Sequence, residues 1–437
     1  MFGVRPLTRD EVDSLTNVWR ARGLIPVLVA VASAFAAWSL LLPVVPTAVI
    51  DAGQSASLAG LSTGVFMLAT VLTQVCTPWA LRRFGYSIIM AVASMLLGIP
   101  ALGYIIGMDA TPLLTVSAIR GIGFGALSVA EAAIIAELVP LRLLGSATGI
   151  FGGVVGLAQM IALPSGLALV DRIGYDAVYI IAASIGGISL IACAAIPAIP
   201  PPDPEPETTN MVHVPMWHLV LVPALALMFV TTAYGAITNF LPVSMRDLDP
   251  ATGAAMGGVM LGVMNFASMI SRYTAGKIMD RRGQPGTVLI PCQVLCALGV
   301  LLMAAILALE LPVWTMLLAA LCYGAGFGAV QNEALTMMFY RLPRSKTSEA
   351  SAIWNIAFDG GTGLGSTFYG MLIATMAFAP MFGIASGVIA IGLIVTLLDR
   401  QLGRHRVVEV NNLSARLKAV QAPRRYPSKN KKQPKNQ

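Results

Sequence analysis

The chain has 437 residues, of which 57% are hydrophobic and only 11% are charged, whereas an average soluble domain has about 25% charged residues. So few charged side chains cannot cover the surface of a soluble protein of this size, and the composition therefore excludes a soluble globular protein. Positive charge is concentrated in residues 400–437, which hold 11 of the 28 Lys and Arg residues and only one acid. The rest of the chain is slightly acidic, which excludes a basic nucleic-acid-binding fold.

Long, almost uncharged segments follow one another along the chain and indicate membrane-spanning helices. About 20 mostly apolar residues are needed to cross about 30 Å of hydrocarbon. The pattern predicts an all-α polytopic membrane protein with twelve such helices. Their expected positions are about 24–48, 55–80, 86–107, 113–137, 145–170, 175–198, 217–243, 252–276, 287–309, 313–339, 350–376 and 379–398.

The distribution of Lys and Arg predicts the orientation of these helices. Cytoplasmic loops carry an excess of both residues, and placing the N-terminus inside puts 24 of the 28 in cytoplasmic segments. We therefore expect a multi-pass protein of the cytoplasmic membrane with both termini in the cytoplasm.

One polar break divides the chain into two halves of six helices each. Residues 199–216 are rich in proline and acids and are expected to form an extended linker. The predicted organisation has five parts. They are a cytoplasmic segment at 1–23, a six-helix bundle at 24–198, the linker at 199–216, a second bundle at 217–399, and a basic, disordered tail at 400–437 that contacts anionic lipid headgroups.

The two halves share a sequence repeat. Gly121-Ile-Gly-Phe-Gly-Ala126 on helix 4 recurs as Gly324-Ala-Gly-Phe-Gly-Ala329 on helix 10, and both copies run without a gap to aligned prolines, Pro140 and Pro343. The repeat predicts two pseudo-symmetric bundles. Duplicated halves are typical of transporters, because a site at their interface can be exposed alternately to either side of the membrane.

A further motif lies between helices 8 and 9, Gly276-Lys-Ile-Met-Asp280-Arg281-Arg282-Gly283. It resembles the loop motif of the major facilitator superfamily, including its bacterial drug and sugar efflux members. The first half has Pro78-Trp-Ala-Leu-Arg82-Arg83-Phe-Gly85, which keeps Arg83 and Gly85 but has Pro78 for the glycine and Arg82 for the acid.

The resemblance implies that Asp280 and Arg281 close the cytoplasmic face by pairing at the ends of helices 8 and 11. It also implies that Arg82, lacking an evident partner, matters less. Arg120 ahead of the helix 4 glycines resembles the family's second motif, and the glycines before Pro164 loosely resemble the family's antiporter motif.

Five charged residues lie within predicted helices. A charge in the bilayer requires a partner or a wet cavity. We expect these residues to bind substrate charge or carry protons: Arg120, Glu131, Arg272, Glu333 and Asp359.

Each of these charges has two interpretations. Arg120 either acts in the cavity, by binding an anionic group or controlling the protonation of a neighbouring acid, or has a structural role in an ion pair or as the cap of a backbone carbonyl. Glu131 and Glu333 either carry protons, since a desolvated carboxyl favours protonation and a nearby cation reverses this, or reach the nearby membrane surface. Asp359 either takes part in transport or pairs with Arg272, and Arg272 is expected to be the structural partner of Asp359 or Glu333. Between these acids, we expect Glu333 to carry the proton and Asp359 to pair with Arg272.

Polar and aromatic residues within helices 1, 7 and 10 are candidates to line a substrate cavity, although each alone could serve helix packing. They are Trp38, Tyr234, Asn239, Gln331 and Asn332.

These features favour a monomeric secondary transporter that exports a small organic solute in exchange for protons and uses no cofactor or metal. The chain lacks a phosphate-binding Gly-x-x-x-x-Gly-Lys-Ser/Thr loop, which argues against ATP hydrolysis. Two alternatives remain. One is proton-coupled uptake of an organic anion with Arg120 as its partner, and the other is a non-transporting membrane enzyme or receptor scaffold.

Overall fold

A computed structural model describes residues 7–54, 56–199, 216–342, 346–373 and 375–402. This part of the chain forms twelve long helices and contains no strand, so the predicted all-α fold is confirmed. Leu144–Cys193 runs as one helix except at Gly174, whose φ of +80° divides it into two spans. The bounds are α1 Leu24–Asp51, α2 Ala56–Phe84, α3 Tyr86–Gly98 with a 3-10 continuation Ile99–Ile106, α4 Ala110–Glu137, α5 and α6 within Leu144–Cys193, α7 Met216–Leu248, α8 Gly253–Arg282, α9 Leu289–Ala308, α10 Met316–Arg341, α11 Thr347–Ile373 and α12 Phe378–Leu402.

The helices are long enough for a bilayer. Ten helical segments within the described residues are both long and apolar enough to cross one, and α8 and α11 have 30 and 27 residues. α11 is less apolar because its polar side chains face other helices. Asn355, for example, is buried and donates to the Ser128 carbonyl oxygen of α4 at 3.4 Å.

The repeated glycine motif packs in the same way in both halves. An added Cβ at Gly121 would lie 2.3 Å from the Phe66 carbonyl oxygen of α2, and one at Gly324 would lie 2.2 Å from the Met264 carbonyl oxygen of α8. The absence of a side chain therefore allows α4 and α10 to approach their neighbours closely. The motif's other glycines repeat this pattern, with Gly123 and Gly326 against α3 and α9, and Gly125 and Gly328 against α2 and α8.

The N-terminal segment packs beneath the first half. It contains a short helix, Arg9–Asp13, capped by Thr8, and Leu7 and Val12 are buried. Arg142, just before α5, donates to the Asp13 carbonyl oxygen at 2.8 Å. The segment therefore belongs to the folded bundle.

Two predicted segments lie almost wholly outside the described residues. α6 ends at Cys193 and α7 begins at Met216, so most of the linker at 199–216 falls in the interval 200–215 that the structure does not describe. The basic tail at 400–437 is described only to residue 402. Both segments, and the domain boundaries drawn from them, stay predictions.

Candidate functional site

Two aromatic stacks occupy equivalent places in the two halves. Trp38 of α1 stacks on Phe124 of α4, with ring centroids 4.6 Å apart and 16° between the planes. Tyr234 of α7 stacks on Phe327 of α10 at 4.6 Å and 17°. Trp38 and Tyr234 were candidates from sequence, whereas the two phenylalanines were missed. The signal for them was present, because each is the phenylalanine of the glycine repeat.

Arg120 is a buried cation that has no acidic partner among the described residues. Its side chain is 3% exposed, its Nε donates to the Leu97 carbonyl oxygen at 3.1 Å, and its Nη1 donates to the Tyr104 hydroxyl at 3.4 Å. Its Nη2 has no partner in the described part of the chain. Within the described residues the structural ion pair considered from sequence is not formed, whereas the backbone-carbonyl contact is formed with Leu97, and one edge of the guanidinium is left for another group.

Arg120 faces a small, open cleft among α1, α2, α4 and the end of α3. Trp38 and Phe66 form apolar walls, and Ser62, Thr63 and Ser117 contribute hydroxyl groups. The second half has no matching charge, since the residue that precedes its glycine repeat is Tyr323, whose hydroxyl donates to the Val230 carbonyl oxygen at 2.9 Å.

The two glutamates of α4 and α10 are buried. Glu131 and Glu333 both have a relative exposure of 0%, so neither reaches the membrane surface as one interpretation allowed. Neither carboxylate oxygen of Glu131 has a partner among the described residues. Glu333 accepts a hydrogen bond from the backbone N–H of Gly286 in the α8–α9 loop. Both remain candidates for proton binding.

Asp359 connects the two halves. Its Oδ2 accepts a hydrogen bond of 2.7 Å from Nε2 of Gln74, which lies on α2 of the first half. Sequence reasoning missed Gln74, because no pattern along the chain relates it to α11. Asp359 lies 12 residues into α11, about 18 Å along the helix axis, so this contact is near the middle of the bundle.

The predicted pair between Asp359 and Arg272 is wrong. No ion pair to Arg272 is formed within the described ranges, and its Nε is buried without a partner. α8 packs across the interface on α5, so its Arg272 lies against Gly152, where an added Cβ would be 1.9 Å from Nε. Asp359 lies on the other interface, where α11 meets α2.

The motif that ends α8, Gly276 to Gly283, joins α8 to α5. Asp280 accepts hydrogen bonds from the backbone N–H groups of Gly145 at 2.9 Å and Ser146 at 2.8 Å. A carboxylate is favourable there, because a helix N-terminus presents free N–H groups and partial positive charge. Gly276 permits the approach, since an added Cβ would lie 2.0 Å from the Gly145 carbonyl oxygen. The predicted contact with α11 is therefore corrected to one with α5.

The first half has the matching contact with the charges exchanged. Arg82 at the end of α2 forms a salt bridge with Glu349 in the first turn of α11. The register that aligns Pro140 with Pro343 also aligns Ser146 with Glu349, so the acid has moved to the partner helix. The expectation that Arg82 lacks a partner is wrong.

The remaining motif residues lie at the turns or on the surface. Gly85 has a φ of +79° and Gly283 a φ of +62°, a conformation that glycine adopts without strain, and they end α2 and α8. Arg83 and Arg281 are exposed.

The polar cavity candidates differ in their surroundings. Asn239 donates to the Gly235 carbonyl oxygen at 2.7 Å and to Ser366 Oγ at 3.0 Å, which joins α7 to α11. The backbone carbonyl of Gln331 accepts from Trp354 Nε1. The Asn332 amide is buried and has no partner in the described structure, so a substrate-binding role stays open for it and a packing role fits Asn239.

The contacts between the halves close one end of the bundle, which we call the basic end and define by Arg82, Arg281 and Arg341. Ser351 Oγ donates to the Val129 carbonyl oxygen at 2.8 Å, and the Tyr340 hydroxyl donates to the Leu141 carbonyl oxygen at 2.5 Å. These bonds, together with those of Asp280, Arg82 and Asp359, extend from the middle of the bundle to this end.

Comparisons with known proteins agree with this architecture. Residues 27–366 match the model of the Major Facilitator Superfamily. The chain is 28% identical over 350 residues to the multidrug resistance protein MdtG of Escherichia fergusonii, covering 76% of this chain and 83% of that protein. It is 27% identical over 139 residues to an uncharacterized MFS-type transporter of Mycobacterium tuberculosis, a match that covers only 24% of that protein.

Two solved structures share the fold. The human organic anion transporter MFSD10 superposes with a TM-score of 0.68 at 13% identity, covering 86% of this chain and 99% of that one. The proton:xylose symporter XylE superposes with a TM-score of 0.66 at 14% identity, covering 88% and 96%. Family match, relatives and fold lead to one conclusion: the chain belongs to the Major Facilitator Superfamily of multi-pass membrane transporters and is not an enzyme.

Proposed function

We propose that this secondary transporter exports a small organic solute in exchange for protons by alternating access. The observation that carries the proposal is the hydrogen bond from Gln74 Nε2 to Asp359 Oδ2, because it places a partly buried acid on the interface between the two halves. An acid in this position has different surroundings whenever the halves separate.

This position couples protonation to conformation. A carboxylate away from water is stabilised by hydrogen bonds to its ionised form, and loss of those bonds favours the protonated form. When α2 moves away from α11, Gln74 leaves Asp359. Binding and release of one proton at Asp359 can therefore accompany each passage between the two states.

The orientation of the protein in the membrane and the names of its relatives both favour export. Lys and Arg favour the cytoplasmic side, so the basic end faces the cytoplasm in this proposal, in the cytoplasmic membrane, and the structure is closed to the cytoplasm. The relatives named multidrug resistance protein, matched over most of the chain, support export. We further propose a monomer whose basic tail contacts anionic lipid headgroups.

The proposal is tested with purified protein in liposomes and a compound identified by a thermal-shift screen of metabolites and drugs. Antiport predicts that the compound accumulates when the lumen is acidic, because outward proton flow drives its entry. Asp359→Asn should abolish this accumulation. Glu310→Gln, which removes an exposed acid in the α9–α10 loop, is the control and should behave like the parent protein. Accumulation without any dependence on the pH gradient would contradict the proposal.

Proton-coupled uptake of an organic anion is the second candidate, and the unpaired Arg120 favours it. Symport predicts accumulation when the lumen is alkaline, because protons then enter with the solute. The same liposome assay separates the two candidates, since the direction of the gradient that drives accumulation does not depend on how the protein is oriented.

A further inference from the structure

The Arg120 cleft has a chemistry that identifies the class of substrate. We infer that the transported solute is an organic anion whose acidic group binds Arg120 while an apolar, planar body lies against Trp38 and Phe66. This inference rests on the proposed transport function and goes beyond it, because neither export nor proton coupling requires a negatively charged substrate.

The residues that line the cleft carry a single charge. Arg120 is the one charged residue among them. It is 3% exposed, and no acid within the described residues pairs with it. A buried charge is costly unless an opposite charge and hydrogen bonds compensate it. The Phe66 and Tyr104 rings, 5.9 and 5.6 Å from the guanidinium carbon, compensate part of the charge, and an anion from solution would supply the opposite charge that the described residues do not.

The hydrogen bonds of Arg120 orient it for this role. In the third span, the Leu97 carbonyl oxygen accepts a hydrogen bond from Nε and the Tyr104 hydroxyl accepts one from Nη1. The Tyr104 hydroxyl is itself 3.0 Å from Ser117 Oγ. The guanidinium plane is therefore held from one side. Nη2, which carries two N–H groups, keeps its hydrogen-bonding capacity for a carboxylate or a similar planar acid.

The walls of the cleft suit an apolar body. Trp38 and Phe66 line it, and both belong to one aromatic cluster, since Trp38 stacks on Phe124 and Phe66 lies 5.8 Å from the same ring. Aromatic faces offer a large apolar contact area. Ser62 and Thr63 also line the cleft, and their hydroxyl groups can hydrogen-bond the acidic group or a polar substituent.

The two halves differ in charge at equivalent places. The first half has a cation beside the Trp38–Phe124 stack, whereas the second has the neutral, fully buried Tyr323 beside the Tyr234–Phe327 stack. A solute with one acidic group and one apolar end matches this asymmetry. Export of such an anion is also favoured by an inside-negative membrane potential, which contributes about 2.3 kcal/mol per charge at 100 mV.

The inference is tested with three probes that share a skeleton and differ in charge: 1-naphthaleneacetate, 1-naphthaleneacetamide and 2-(1-naphthyl)ethylammonium. Binding is measured by calorimetry on the full chain in lipid nanodiscs, with empty nanodiscs to subtract partitioning. We expect the acetate to bind at least about tenfold more tightly than the amide, which corresponds to about 1.4 kcal/mol. Arg120→Gln should remove this preference. Arg246→Gln, which removes an exposed cation at the end of α7, is the control and should retain it.

A second variant keeps the test decisive if Arg120→Gln fails to fold. Ser117 lies one turn before Arg120 on α4, so Ser117→Asp places a carboxylate beside the guanidinium and imitates the bound anion. We expect this variant to melt at a higher temperature than the parent protein and to lose binding of the acetate. A lower melting temperature together with unchanged acetate binding would overturn the inference.

The other outcomes are equally decisive. Equal or tighter binding of the amide or the amine, a preference for the acetate that survives Arg120→Gln, or no binding of the acetate at millimolar concentration would each overturn the inference. These measurements need no proton gradient. Arg120-dependent binding of the acetate without any gradient-driven transport would therefore count against the proposed function alone, and gradient-driven transport of neutral or cationic compounds only would count against the anion alone.

Discussion

At the scale of single residues, the described part of the structure holds several ionisable side chains in the interior without a charged partner. Three of them, Arg120, Glu131 and Arg272, are at least nine-tenths buried. The fourth, Asp359, lies on the interface between the halves. None of the four forms an ion pair within the described residues. Unpaired charges in a membrane protein mark ligand sites or proton pathways. Arg120 lies within the first half and Asp359 lies on the interface between the halves. We therefore assign the substrate site to Arg120 and the proton site to Asp359.

The first prediction concerns the acid that carries the proton. Asp359→Asn should abolish accumulation driven by a pH gradient and leave exchange of labelled for unlabelled solute intact, because exchange needs no net proton movement. Both rates are measured in the same liposomes. Asparagine keeps an oxygen that can accept from Gln74, so we expect the variant to fold.

The matched comparison uses the acid of α10. Glu333→Gln should retain gradient-driven accumulation, because Glu333 accepts from the Gly286 backbone within its own half and does not lie on the Gln74 interface. If Glu333→Gln loses coupling while Asp359→Asn keeps it, the two residues exchange roles, as expected from sequence alone. If both variants stay coupled, Glu131 is the next acid to test.

At the scale of helices, two crossings between the halves close the basic end by different means. α5 and α8 meet at glycines, and Asp280 binds the N-terminus of α5. α2 and α11 have Pro78 and Ser348 at the corresponding positions, and the long side chains of Arg82 and Glu349 span the contact.

The second prediction tests the exchanged charges of the α2–α11 crossing. Arg82→Glu should lower the transport rate several-fold without a comparable loss of solute affinity, because two acids then repel each other where the halves must close. Glu349→Arg alone should do the same. The double variant Arg82→Glu with Glu349→Arg should recover most of the rate, as a double-mutant cycle requires of two residues that interact. Additive losses in the double variant would show that the pair does not contribute to closure.

The third prediction tests the glycine crossing of α5 and α8. Gly276→Ala should slow transport strongly, because its methyl group would lie 2.0 Å from the Gly145 carbonyl oxygen and force the helices apart. Gly258→Ala on the same helix is the control, since an added Cβ there meets nothing within 4 Å, and it should transport at the parent rate. Transport by Gly276→Ala at that rate would show that closure tolerates the separation.

At the scale of the whole molecule, the span count, the two halves and the family follow from the sequence. Hydrophobic length determines the span count, and the glycine repeat identifies the duplication because the close packing of α4 and α10 requires it. α8 continues to Arg282 rather than 276, because the helix extends through the basic motif until Gly283 ends it.

The contacts between the halves could not be predicted in the same way. Gln74 and Asp359, Arg82 and Glu349, and Arg272 and Gly152 are brought together only when two separate bundles dock. Their pairing depends on the conformation that the transporter adopts. No local spacing along the chain encodes that choice, so the sequence pairs Asp359 with Arg272 only because both lie in the second half at similar depth.

The central claim is that protonation of Asp359 controls which end of the bundle is closed. The most direct measurement is the distance between spin labels on the two halves, in a protein whose five native cysteines are replaced. One pair is at 83 and 346, at the basic end, and the other is at 52 and 251, at the opposite end; all four positions are exposed.

Distances are recorded in nanodiscs at pH 5.5 and 8.5. The account predicts that the change of pH lengthens one distance and shortens the other in the parent protein, and that Asp359→Asn removes this response while Glu310→Gln retains it. A pH response of the same size in Asp359→Asn, or distances at the two ends that change in the same direction, would contradict the account.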